Sequence, residues 1–405
     1  RRKRVRDAEY YLIAAGLIAT LSLILVTLFG KFGAGKLSPE VYQLWMVYGL
    51  YALGAVWIAW RRKLVPLAWI GSALLVVALA DGFAYPLSLS FPWQTALLAH
   101  ATICAIAAIA CSRDRRTLML SEPFNYSALI SVVLGVISLF QANQWEQTGM
   151  QAQRVFWMAG ILLVSLWLNR NRLLFNLFQI ALTCAVVLAI KATLQQYDWY
   201  SYLPHAWLHP TALQIQGTVL TLLVLAWIAV RMIVRRRLPA GERTLNHWLH
   251  DAWRLLDNNY SFDRLLSWAL IGAFLLLAIY GSLAGVTQEL AAWGSGYPGF
   301  DVAGFPHQEA LGLGSWIVLG LLTVAMLANY FERRSDVYLL GALAVLSASI
   351  PLLAGLFETQ MATATAWRWF AALFLIAGSV VIWTRRSTQT DLRTLLIILT
   401  VVPLL

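Results

Sequence analysis

Charged side chains are scarce in this chain. Only 12% of its 405 residues are Asp, Glu, Lys or Arg, while 60% are hydrophobic. An average soluble domain carries about 25% charged residues, because charge is what covers a surface that faces water. The composition therefore excludes an ordinary soluble protein and predicts an integral membrane protein.

Cysteine is also rare, and its placement excludes several kinds of site. Cys104, Cys111 and Cys184 lie in or beside apolar runs, and none has a second cysteine at a close metal-ligand spacing. Such a set argues against a disulfide framework and against zinc or iron–sulfur ligation. The P-loop, Rossmann, HExxH and GxSxG patterns are missing as well. We expect neither a metal nor a cofactor.

Long apolar runs are abundant, and they predict an all-α, polytopic helical bundle. A spanning helix needs about 20 apolar residues, and these runs lack the alternation of transmembrane strands. We expect about thirteen spans, the last of them truncated. The segments are 11–29, 41–60, 64–80, 93–111, 125–141, 154–168, 173–191, 214–232, 265–284, 313–331, 336–354, 367–384 and 393–405.

Lys and Arg divide unevenly between the connections. With residue 1 in the cytoplasm, the inner segments hold 25 of the 30 basic residues, which gives +14 inside and −3 outside. This is the positive-inside pattern, and it predicts a multi-pass protein of a bacterial-type inner (cytoplasmic) membrane with a cytoplasmic N-terminus. Basic loops of this kind need no nucleic-acid partner. The expected partners are membrane lipids and either other proteins or further copies of the chain.

One cytoplasmic segment divides the chain. Residues 242–258 have apolar residues at helical spacing and a polar opposite face, which predicts an interfacial amphipathic helix. Residues 1–241 then form a membrane domain of eight spans, and 259–405 form the remaining membrane domain. Because the chain opens on Arg1 and stops inside an apolar run, we expect it to continue beyond both ends.

The predicted spans are nearly free of ionisable residues, and only His100 lies near the middle of one. Proton pumps and ion-coupled carriers place such residues at bilayer depth, so their scarcity argues against proton translocation. Paired haem ligation needs a second embedded histidine, which the spans lack. His100 is expected to be a hydrogen-bonded core histidine.

Two long connections on the predicted outer side could hold chemistry. Residues 192–213 contain His205 and His209, and residues 285–312 contain His307 among several carboxylates. Loops of this length are more often functional than short turns.

Two outer-end arginines, Arg154 and Arg368, could join these three histidines in a site facing the periplasm. Arginine suits a diphosphate leaving group, and histidine can act as a base toward a sugar hydroxyl. The layout is similar in outline to multispanning O-antigen ligases and polymerases, which join lipid-linked glycans with outer-face Arg and His. The resemblance is architectural, without a matching sequence motif.

Three functions stay open. The first is a membrane-embedded scaffold or anchoring subunit of a larger assembly, because nothing in the sequence requires chemistry. The second is a periplasmic-face transferase of lipid-linked glycans. The third is a flippase or carrier for a lipid-like or neutral substrate, which should contain an internal repeat that the residues do not reveal.

Overall fold

The computed structural model of the chain describes most of its first three quarters. The described residues are 2–28, 43–89, 91–115, 117–139, 148–202, 206–237, 255, 261–292, 312–333, 335, 337–346, 372 and 376. Helix makes up 92% of the described residues, and these ranges contain no strand. Apart from the single residues 255, 372 and 376, the predicted amphipathic helix at 242–258 and the two last predicted spans, 367–384 and 393–405, lie outside this part of the chain.

Twelve α-helices and one 3-10 turn are found in the described ranges. The helices are α1 Arg2–Thr27, α2 Leu44–Arg62, α3 Val65–Ala84, α4 Pro92–Arg113, α5 Leu118–Leu139, α6 Thr148–Leu168, α7 Arg172–Leu194, α8 Asp198–Tyr202, α9 Pro210–Arg237, α10 Phe262–Ala292, α11 Leu313–Arg333 and α12 Val337–Leu346. The 3-10 turn is Ala206–Leu208. The first eleven predicted segments each coincide with one of these helices.

Seven of the described helices are long and apolar enough to cross a membrane: α3, α4, α5, α6, α7, α9 and α11. Hydropathy over a full span is the signature of a membrane helix, so the all-α, multi-pass prediction is confirmed. The total of about thirteen spans and the side on which the N-terminus lies stay predictions.

Proline and a left-handed residue set several helix boundaries. Pro66 lies in the first turn of α3, and Pro92 and Pro210 open α4 and α9. Proline suits this position because its missing N–H would have no intrahelical acceptor there. Lys63 ends α2 with φ 58°, and its N–H donates to the carbonyl of Ala59. The chain thereby turns from α2 into α3 within two residues.

The first compact unit comprises residues 1–181, which carry α1 to α6 and the first part of α7. Its helices pack most extensively as the hairpins α2–α3 and α4–α5, and α3 also packs on α4. Small residues line these contacts, among them Ala52, Ala68, Ala101 and Ala128, each 0–1% exposed. Small residues let helix backbones approach closely, which is how membrane helices gain van der Waals contact.

The second compact unit comprises residues 182–405, with the rest of α7 and the helices that follow. Its apolar core joins Ile271 and Phe274 of α10 to Leu322 and Met326 of α11 and to Val345 of α12. The boundary between the two units lies inside α7. The division around 242–258 that the sequence suggests stays a prediction.

Both predicted outer connections contain more helix than expected. Helix α10 continues to Ala292, eight residues past the predicted end at 284, so Glu289 lies on a helix. Leu and Ala are strong helix formers, and the first proline after this helix is Pro298. The 192–213 connection contains α8 and the 3-10 turn.

Candidate functional site

Arg154, the first predicted site residue, lies in the second turn of α6 and is half-buried. Its Nη1 donates a hydrogen bond to Oε1 of Gln94 on α4. Gln94 in turn donates from Nε2 to the backbone carbonyl of Ser138 on α5, at 3.0 Å. The guanidinium carbon also lies 4.9 Å from the ring centroid of Phe91, a cation–π contact. Arg154 therefore ties α4, α5 and α6 together at one end of the first unit.

His209, the second predicted site residue, directly precedes α9 and is 7% exposed. Its ring centroid lies 5.3 Å from that of Trp199 on α8. The backbone N–H of His209 donates to the carbonyl of Ala206 at 3.1 Å, and the carbonyl of His209 accepts from the N–H of Leu213 at 3.0 Å. The imidazole therefore lies against the Trp199 ring, at the point where the 3-10 turn leads into α9.

An apolar cluster adjoins Trp199, the ring that contacts His209. Leu194, Tyr200, Ala206 and Ala212 form this buried cluster, with Trp199 packed against it. Burial raises the pKa of the Tyr200 phenol above its ordinary value, because desolvation penalises the phenolate.

His205, His307 and Arg368 lie outside the described residues. Arg154 belongs to the first compact unit and His209 to the second, and each has the local surroundings given above. The five-residue site thus stays a prediction.

His100 is the hydrogen-bonded core histidine that the sequence favours. It is 2% exposed on α4, with Nε2 at 2.9 Å from the hydroxyl of Ser72 on α3 and Nδ1 at 2.8 Å from that of Ser131 on α5. Cys104 Sγ lies 3.3 Å from Nε2. A neutral imidazole has one donor and one acceptor nitrogen, and serine hydroxyls can match both.

Sequence reasoning missed the most strongly charged site among the described residues. Arg231 of α9 is 1% exposed, and its Nη1 donates to Oδ2 of Asp263 near the start of α10. Its Nε lies 3.2 Å from both carboxylate oxygens of Glu332 at the end of α11. Nη2 donates to Oδ1 of Asn329, at 3.4 Å. One guanidinium therefore joins three helices; we call these four residues the ion cluster.

A second arginine adjoins the ion cluster. Nη2 of Arg264 lies 3.7 Å from Glu332 Oε1, with both side chains 3–4% exposed. Arg235, one turn after Arg231, donates from Nη1 to the backbone carbonyl of Glu332 at 2.9 Å. Two buried arginines thus lie beside two buried carboxylates. Their mutual attraction offsets part of the free-energy cost of removing each charge from water.

The sequence contains a signal for this cluster. Arg231 lies inside the predicted span 214–232, six residues before the end of α9, whereas Arg235 and Arg236 are exposed. The positive-inside count places Arg231 and Arg264 with the basic residues of the predicted inner segments, and that side stays a prediction. A count of charges per loop does not distinguish a buried arginine from an exposed one. The structure adds that both arginines are buried, each against a carboxylate of a neighbouring helix.

No group of three or more His, Cys, Asp or Glu side chains suited to a metal ion occurs within the described ranges. The two carboxylates of the ion cluster are instead occupied by arginine. No known protein family matches this chain, and no curated protein and no solved structure is similar to it.

Proposed function

We propose that the chain is a membrane-embedded scaffold or anchoring subunit of a larger assembly. The observation that carries this proposal is that buried polar side chains bind to other helices of the same chain. His100 links α3, α4 and α5, Arg154 links α4 and α6, and Arg231 links α9, α10 and α11. Polar side chains that bind one another across helices stabilise a bundle.

The outward surface suits contact with lipids and with partner helices. On α6, Phe156, Leu163 and Trp167 are 62%, 50% and 74% exposed and share one face at spacings of seven and four. Gly160 lies on the same face, and a Cβ built there would meet nothing within 4 Å. A face of large apolar residues with a glycine is a surface on which another helix could pack closely.

The proposed setting is a bacterial-type inner membrane with the N-terminus in the cytoplasm. Support comes from where basic residues fall on the described helices. Helices α2, α4 and α11 carry Arg in their last turns, and all three end on the predicted inner side. This agrees with the rule that Lys and Arg collect in cytoplasmic segments.

The scaffold is tested by the mass of the assembly that contains the intact chain. The chain is crosslinked in its native membrane, extracted into lipid nanodiscs and measured by native mass spectrometry. We expect a discrete assembly of fixed stoichiometry, and we expect Arg154→Ala and His209→Ala to keep it. A single uncomplexed chain at every protein density would overturn the proposal.

A second candidate is a transferase of lipid-linked glycans, and one observation favours it. Arg154 lies over Phe91, and His209 lies against Trp199, so both predicted functional side chains within the described residues are flanked by an aromatic ring. Aromatic rings suit the headgroup level and can support a lipid or a sugar. The arginine would neutralise a diphosphate and the histidine would take the proton of the acceptor hydroxyl.

Turnover of a lipid-linked diphosphate glycan by the intact chain in nanodiscs tests this candidate. Loss of a general base typically costs about 100-fold or more in rate, so His209→Ala should abolish most turnover, and Arg154→Lys should keep more of it than Arg154→Ala. The exposed Arg113→Ala is the matched control. Equal turnover in all four variants would contradict a role for these residues.

A further inference from the structure

Helix α2 carries an open apolar groove on its outward face. Leu50, Leu53, Gly54, Val56, Trp57 and Trp60 line a cavity of about 550 Å³. Leu50, Leu53 and Trp57 are 71%, 65% and 62% exposed, so the described helices leave the groove uncovered.

Gly54 makes the floor of the groove. A Cβ built at this position would meet nothing within 4 Å, so the missing side chain leaves space between Leu50 and Trp57. Trp57 and Trp60 close one end, with ring centroids 5.3 Å apart and planes at 52°. From Leu50 to Trp60 the groove follows the helix for about 15 Å, at 1.5 Å per residue. The groove is therefore complementary in shape to an elongated apolar ligand.

Basic residues follow immediately at the tryptophan end. Arg61 and Arg62 occupy the last turn of α2, and Lys63 caps it; all three are exposed. Cations near a helix C-terminus offset the dipole of the helix, but that effect does not require three of them. Three adjacent cations beside interfacial tryptophans match the headgroup region of a membrane with anionic lipids.

We propose that α2 binds one anionic phospholipid. An acyl chain lies in the groove from Leu50 to Trp60, and the phosphate contacts the cations at 61–63. The apolar surface thus faces the tail of the lipid, and the positive charge that follows it faces the headgroup. Net charge selects the lipid, because a zwitterionic headgroup would bring its own cation to Arg61, Arg62 and Lys63.

Three variants of the intact chain separate the two parts of the site. Gly54→Leu fills the groove. The double variant Arg61→Gln/Arg62→Gln removes two charges, and Lys63→Gly removes the third while keeping the left-handed backbone that glycine readily adopts. The matched controls are Gly320→Leu on α11, where a side chain also meets open space, and Arg113→Gln/Arg115→Gln at the exposed end of α4.

Lipid retention is measured by native mass spectrometry after titration with phosphatidylglycerol or phosphatidylcholine. We expect one retained phosphatidylglycerol per chain and weaker retention of phosphatidylcholine. Each removed cation should weaken binding about fivefold, as expected for basic residues near an anionic surface, and added salt should reduce this difference. Gly54→Leu should abolish retention, while both controls keep it. Equal retention of the two lipids, or equal loss in Gly54→Leu and Gly320→Leu, would overturn the proposal.

A photoreactive phosphatidylglycerol with a diazirine in its acyl chain locates the bound tail. We expect crosslinks on the peptide from Leu50 to Trp60, and we expect unlabelled phosphatidylglycerol to compete them away. The alternative occupant is another helix, either from this chain or from a partner. Crosslinks spread equally over α2 and α6, or a protein segment joined to Trp57, would rule out the lipid.

Discussion

Arg231 of α9 donates a hydrogen bond from Nη1 to Oδ2 of Asp263 on α10, and both side chains are only 1% exposed. The same guanidinium contacts Glu332 of α11. A buried ion pair is strongly destabilising when one partner alone is removed, because the other charge stays buried without compensation. This relationship makes Arg231 the most sensitive single position among the described charged residues.

Replacing Arg231 with Met should therefore destabilise the second unit by about 3–5 kcal/mol. The side chain volume is largely kept, so the loss reports the positive charge that Asp263 and Glu332 no longer receive from Arg231. Unfolding by a denaturing detergent, followed by tryptophan fluorescence, measures the change in free energy. Arg236→Met, which removes an exposed arginine one turn away, should stay close to the unmodified chain.

A quadruple variant checks that charge is the cause. Arg231→Met and Arg264→Met combined with Asp263→Asn and Glu332→Gln remove both arginines and both carboxylates and should recover much of the lost stability, as replacement of a whole buried ionic group often does. If the quadruple variant were as unstable as Arg231→Met, shape rather than charge would explain the effect.

The sequence predicts the helices of this chain well and their partners poorly. Apolar runs place eleven segments on described helices because a spanning helix is defined by its own residues. In the sequence, Asp263 follows Arg231 by 32 residues and Glu332 follows it by 101. Which helix packs beside which is decided by side-chain complementarity in three dimensions, and one sequence holds no direct record of it.

His100 and Arg154 illustrate the same limit at the candidate site. The sequence identifies His100 as a core histidine from its depth in a span, but it does not name Ser72 and Ser131 as partners. It places Arg154 at a helix end, but it does not indicate Gln94 as the acceptor that ties α6 to α4. The sequence indicates the type of each residue and its depth in a span. It does not indicate the hydrogen-bond partner, because that partner lies on another helix.

Replacing His100 with Ala should destabilise the first unit by about 1–2 kcal/mol, the range of interhelical hydrogen bonds within membranes. Both serine hydroxyls, 2.8 and 2.9 Å from the ring, lose a partner. Detergent unfolding again gives the free energy. Thr193→Ala is the control, because this exposed hydroxyl bonds only to its own helix at Ala189. A loss in the control equal to that in His100→Ala would contradict the interhelical role.

Tyr200→Phe should make the chain less sensitive to alkaline pH. Burial raises the pKa of Tyr200 in the folded state, so the unfolded state releases its proton first. The resulting stability is present below the ordinary pKa of tyrosine and is lost as pH rises through the raised value. Unfolding free energies measured from pH 7 to pH 11 should fall more steeply for the unmodified chain than for the variant. Tyr197→Phe, which changes an exposed tyrosine three residues away, serves as the control, and parallel curves for all three chains would refute the prediction.

Gly71→Ala should separate α2 from α3, although alanine is the better helix former. A Cβ at Gly71 would lie 2.8 Å from Val56 Cγ2 and 3.0 Å from the backbone carbonyl oxygen of Ala52. The backbone of α2 cannot move aside as a flexible side chain can, so this contact forces the two helices apart. Such overpacking costs about 1–3 kcal/mol. Gly49→Ala on α2 is the matched substitution, because its Cβ would meet nothing within 4 Å, and it should gain up to about 1 kcal/mol from helix propensity. Opposite signs for the two variants in detergent unfolding are the expected result, and a stabilised Gly71→Ala would show that α2 and α3 do not approach at this glycine.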